Sequence, residues 1–182
     1  MADIRRSRSE PVSKLDWAKR PRSPLAGPYG HPFHPFLVTI PIGSWIASLV
    51  FDIAGRAEGM EGAALIDGAQ WLVGIGIVGA LLAALVGVLD LMAIPRGTAA
   101  FRTALTHMAL NLTVVALFVV SFIIRLGESP SQPSPVALVL SIVGLAVLGV
   151  SGWLGGKLAY HYGVRVAAET TQAEGFRPER GR

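Results

Sequence analysis

Four long apolar runs, at about residues 36–54, 69–94, 99–125 and 136–160, decide what this chain can fold into. At 1.5 Å of rise per residue each is long enough for a hydrocarbon layer of about 30 Å. No water is present there to satisfy backbone N–H and C=O groups, so segments of this kind are helices. With 52% apolar residues and a mean hydropathy of +0.52, the chain belongs with membrane proteins rather than soluble domains. The expected fold is all-α, an integral membrane four-helix bundle. A flexible basic N-terminal tail, residues 1–33, precedes the four-helix domain, residues 34–162, and a flexible C-terminal tail, residues 163–182, follows it.

The net charge of +4 could suggest a nucleic-acid partner, but the basic residues are placed as topology signals. Seven Lys or Arg lie in the N-terminal tail, two in the second connector (Arg96, Arg102) and five from Lys157 onward, against one each in the first and third connectors (Arg56, Arg125). This bias predicts that both termini are cytoplasmic in a bacterial inner membrane, with no nucleic acid bound. Asp3, Glu10 and Asp16 argue against a transit peptide, so the tail is read as retained. There is no cysteine, which excludes disulfides, thiolate metal sites and cysteine nucleophiles.

Within the runs, Pro41 falls one turn inside the first span and predicts a kink or a loosened turn, because it removes a backbone donor. Ser44, Ser48, Gly43 and Ala47 let a neighbour approach closely. Gly76, Ala80, Ala83, Gly87 and Asp90 share one face of the second helix and form a packing seam that ends in a carboxylate. Pro95-Arg-Gly-Thr98 makes a tight turn, which forces the second and third helices to be antiparallel neighbours. Gly144, Gly149, Gly152, Gly155 and Gly156 make the fourth helix the most closely packable. Asp52 and Asp67 read as solvated ends of the outer connector, Lys157 as a snorkelling cation, and Trp45, Trp71 and Trp153 as packing or interface anchors.

Thr103, His107 and Asn111, four residues apart, form a polar stripe on the third helix. Taking Arg96 and Arg102 as interface markers, Asp90 lies about 9 Å and His107 about 7 to 8 Å beyond them. An acid and an imidazole inside hydrocarbon-like segments mark the leading candidate site. One reading is a hydrogen-bonded Asp90–His107 clamp that fixes helix register. Another makes His107 a ligand or proton carrier with Asp90 behind it. Haem b is the first candidate ligand, with His34 or His161 opposite His107, since a four-helix membrane bundle can hold a porphyrin through imidazoles on facing helices. A divalent ion held by His31, His34, His107, His161 or Asp90 is the next; a quinone on the cytoplasmic side is the alternative to haem, and Asn111 joins His107, His34, His161 and Asp90 as a candidate cofactor-binding residue. No nucleophile with a base partner is visible, so no catalytic residue is assigned.

Taken together, His34-Pro35 with Pro41-Ile-Gly43 and Asp52, Gly87 to Asp90, Ile94-Pro-Arg-Gly-Thr98, His107 with Asn111, and Ser151-Gly-Trp-Leu-Gly-Gly156 followed by Tyr160-His-Tyr-Gly-Val164 cover about residues 28–166 in order. This set resembles a bacterial family of four-span membrane proteins catalogued as domain of unknown function 2231. Arg165 departs from the pattern, in which the closing Gly-Val repeat usually has a glycine. The resemblance implies the four-span fold; the family has no established activity. Some members are joined to a Rieske-type domain, which implies an electron-transfer neighbourhood for them. The functional expectation is a redox-associated membrane module on the cytoplasmic side, with an electron-transfer protein or a second copy as partner. A non-catalytic structural or partner-docking subunit is the alternative, and proton or small-solute conduction the third.

Overall fold

A computed structural model describes residues 18–19, 24–27, 31–131, 134–174 and 176, and among these there are helices and turns but no strand. Short helix α1, Phe33–Leu37, breaks at Val38 and is followed by α2, Thr39–Ala57. Then come α3, Ala63–Ala93, α4, Ala99–Leu126, and α5, Pro135–Gly156, which runs into a π-helical turn at Lys157–His161. A six-residue helix, α6, Glu169–Glu174, lies beyond. Among the described residues four stretches are long and apolar enough to cross a membrane: Phe33–Ala57, Ala63–Ala93, Ala99–Leu126 and Pro135–His161.

The second helix begins six residues earlier than the apolar run at 69–94. The connector before it is closed by a 3-10 turn, Gly59–Gly62, rather than by a loop. Gly62 and Gly55 make this possible, because a side chain on Gly62 would overlap the Gly55 backbone. Asp67 is exposed on the first turns of α3, as a solvated acid should be.

Local chemistry sets the other boundaries. Pro41 cannot donate to the carbonyl one turn back, and the chain breaks three residues earlier, at Val38, which donates to His34 O at 3.1 Å. The loosened first turn expected from Pro41 is therefore present. In the tight turn after α3, Gly97 takes φ of +79°, and Thr98 caps α4 by accepting from Phe101 N at 3.1 Å. Ser134 caps α5 ahead of Pro135 and joins three elements: its Oγ accepts from Val136 N, its N–H donates to Glu128 and its carbonyl accepts from Arg56.

The bundle is two tight helix pairs, α2 with α3 and α4 with α5, laid against each other. The α3 seam receives the first span as the small residues predict. Trp45 sits over Gly76, Ile40 and Pro41 over Gly79, and the His34 ring over Gly87. Between the pairs, Trp45 stacks on Phe118 with ring centroids 4.1 Å apart and planes 2° from parallel, and both rings are fully buried. On α5 only part of the glycine pattern is used for packing. Gly144 seats Phe118 and Gly155 seats His107, whereas Gly149 and Gly152 face outward with open space beside them.

Described residues on either side of the four spans contact the helical body and one another. Val164 is buried with Ile94, Ala104 and Leu158 at the end of the bundle that carries the α3–α4 turn. Ala18 and Ala26 are buried, and their carbonyls accept from the backbone N–H and the guanidinium of Arg165, at 3.0 and 2.7 Å. These contacts were not part of the expectation of two free tails.

Candidate functional site

Each helix pair brings one histidine to the interface between the pairs. The Nδ1 of His34, on α1, is 2.9 Å from the carbonyl of Ala83 on α3. The Nδ1 of His107, on α4, is 2.8 Å from the carbonyl of Ser151 on α5, with Ser151 Oγ at 3.0 Å. A carbonyl can only accept, so both Nδ1 atoms carry a proton; an amide nitrogen can only donate, so the Nε2 of His107, which faces Asn111 Nδ2, is the acceptor there. The two rings lie edge-on, with centroids 6.5 Å apart and planes crossed at 83°. Gly87 and Gly155 provide the space: an added Cβ would lie 3.0 Å from the His34 ring and 3.2 Å from the His107 ring. His107 is about 12 Å along α4 from its start, well inside the span.

Asn111 completes the polar stripe one turn further on. Its Nδ2 is 3.1 Å from His107 Nε2 and 2.9 Å from His107 O, so it donates to the ring and to the backbone. Thr103 is half-buried one turn before.

The Asp90–His107 clamp does not form, because the Nδ1 of His107 is taken up by Ser151 and its Nε2 faces Asn111. Asp90 pairs instead with Arg165, whose Nε is 2.8 Å from Oδ1, with little of either side chain exposed. Arg165 takes φ of +62°, the left-handed region in which glycine is strain-free. The departure from glycine at this position is therefore a side chain that accepts backbone strain and neutralises the seam's carboxylate.

His31 and His161 do not join this group. Both are exposed, and the His161 ring packs edge-on against Tyr162 at 4.8 Å. Among the described residues no three His, Asp or Glu side chains converge on one point, so His31, His34, His107 and Asp90 do not assemble as a divalent-ion set.

At the opposite end of the same helices lies a group the sequence reading missed. Arg125 on α4 donates from Nη1 and Nη2 to the two oxygens of Asp52 on α2, at 2.8 and 2.6 Å, and its Nε and Nη2 reach Ser121 and Ser141. Asp52 is fully buried, which corrects its reading as a solvated end. The signal was present: Trp45, Ser48, Asp52 and Gly55 recur at helical spacing and form the buried face of α2. In chain order His107, Phe118 and Arg125 place three cross-pair contacts along α4: imidazole on imidazole, ring on ring, and ion pair.

A family model described as "Predicted membrane protein (DUF2231)" matches residues 30–168, which include every group above. No curated protein and no solved structure matches the chain.

Proposed function

The chain belongs to the DUF2231 family of predicted membrane proteins, and on that premise we propose that it is a redox-associated membrane module that holds haem b between His34 and His107. The observation that carries this reading is the pair of opposed imidazoles. The two ring centroids are 6.5 Å apart, and His34 and His107 are the side chains that would hold the haem iron. Each ring is already oriented by an Nδ1–H bond to a carbonyl, the outer-shell arrangement that fixes a ligand histidine's tautomer and leaves Nε2 to coordinate. Gly87 and Gly155 seat the two rings against the backbones of α3 and α5. Asn111 would turn from Nε2 and keep its bond to the His107 carbonyl. Bound there, haem supplies one-electron transfer in a low-dielectric layer. His34 and His107 would hold the iron from separate helix pairs, each ring oriented by a backbone carbonyl. We place the site toward the cytoplasmic face of a bacterial inner membrane, on the distribution of Lys and Arg.

A structural or docking role without cofactor is favoured by one observation: Asn111 and Ser151 satisfy both nitrogens of His107 within the protein. An absorption spectrum of the purified protein separates the two. Haem binding gives a Soret band that is lost in His34→Ala and in His107→Ala and kept in His161→Ala. A colourless protein after expression with added haem precursor rejects the haem reading.

A further inference from the structure

From Ser129 to Ala168 the chain contains no Asp or Glu, yet the last helix carries a cation on its outer face at the membrane edge. At Lys157–His161 the helix widens into a π turn, with Tyr162 N bonded to Lys157 O at 3.1 Å. Trp153, Gly156, Lys157, Tyr160 and His161 line an open groove there of about 550 Å³. Gly156 forms its floor, since an added Cβ would meet only the Tyr160 ring, at 4.0 Å. Lys157 Nζ sits 5.7 Å from the Trp153 ring centroid and 5.6 Å from that of Tyr162, held by aromatic faces, with no carboxylate paired to it among the described residues. Trp153 and Tyr160 are largely exposed. Neighbouring Leu158 and Val164 pack on Ile94 and Ala104, so the groove is level with the α3–α4 turn and its exposed Arg96 and Arg102.

We propose that this groove is a binding site for the headgroup of an anionic phospholipid. Lys157 supplies the charge for the phosphate, Tyr160 and His161 supply donors at the rim, and Trp153 packs at headgroup level as interfacial aromatics do. The acyl chains run along the outer face of α5, where Gly149 and Gly152 leave the helix surface open. Charge argues against a second copy as the occupant. A two-fold contact through this face would bring two Lys157 ammonium groups together with no acid on α5 to separate them.

Native mass spectrometry of the full-length protein, titrated with phosphatidylglycerol and phosphatidylcholine, tests the site. The wild type retains phosphatidylglycerol preferentially. Lys157→Gln lowers that preference about fivefold, the effect of one basic residue near the surface, while Lys157→Arg keeps it. Gly156→Leu fills the groove and also lowers retention, with helicity by circular dichroism checking that the variant is folded. Equal retention by wild type and Lys157→Gln overturns the proposal. So does displacement of the lipid by millimolar inorganic phosphate, which marks a free-anion site, or a dimer that Trp153→Ala dissociates, which marks a protein interface.

Discussion

Arg125 places both terminal nitrogens on the carboxylate of Asp52, at 2.8 and 2.6 Å, in a position from which neither side chain reaches the surface. The pair ties α4 to α2 across the interface between the two helix pairs. Asp52→Leu strands a buried guanidinium and should cost about 3 to 5 kcal/mol of stability. Asp52→Leu combined with Arg125→Met leaves no charge unpaired and should cost clearly less than either single change. Denaturant titration of the four proteins in detergent measures the difference, and a double variant as unstable as the sum of the singles would contradict it.

The glycines of the seams differ sharply in what they tolerate. A methyl at Gly76 would overlap the Trp45 indole, and one at Gly144 would lie 2.8 Å from the Phe118 ring. Either Gly→Ala change should destabilise by about 1 to 3 kcal/mol, because the stacked rings have nowhere to move. Gly149→Ala meets nothing within 4 Å and should be neutral or stabilising by up to about 1 kcal/mol. Thermal unfolding of the three variants gives the order directly.

Arg165 offers a test in which glycine should be milder than alanine. Both substitutions remove the ion pair to Asp90 and the bond to the Ala26 carbonyl. Alanine also inherits a φ of +62°, which costs an L-residue about 1 to 2 kcal/mol. Arg165→Gly should therefore be the more stable of the two, and the reverse order would show that the left-handed turn is not retained.

Ser151 contacts His107 three times: its carbonyl and its hydroxyl meet Nδ1, and the hydroxyl also donates to the His107 carbonyl. Ser151→Ala removes the two hydroxyl contacts and keeps the carbonyl one, so the tautomer of His107 is preserved and the cost should be about 1 kcal/mol. If His107 is an axial ligand, this variant keeps its Soret band, in contrast to His107→Ala.

The spans were readable because twenty or more apolar residues admit one backbone solution in a bilayer. The Pro95–Thr98 turn and the Gly76-to-Asp90 seam were readable because their signals are local. What the sequence did not disclose depends on distant partners. Asp52 looked like an end-of-helix acid because its counter-ion is 73 residues away. The sequence left open whether His34 or His161 lies opposite His107, and Asp90 found Arg165 in a region read as tail. Five glycines on α5 looked equivalent, yet which of them pack inward is decided by Phe118 and His107 on the neighbouring helix.

The separation of Asp52 from Arg125 also bears on biogenesis. Asp52 leaves the ribosome 73 residues ahead of Arg125, the counter-ion it has in the folded protein. Until then the carboxylate must stay hydrated or held by the insertion machinery, because an unpaired acid in lipid is costly. Delivery of α4 into the bilayer thus completes the pair that joins the two halves of the bundle.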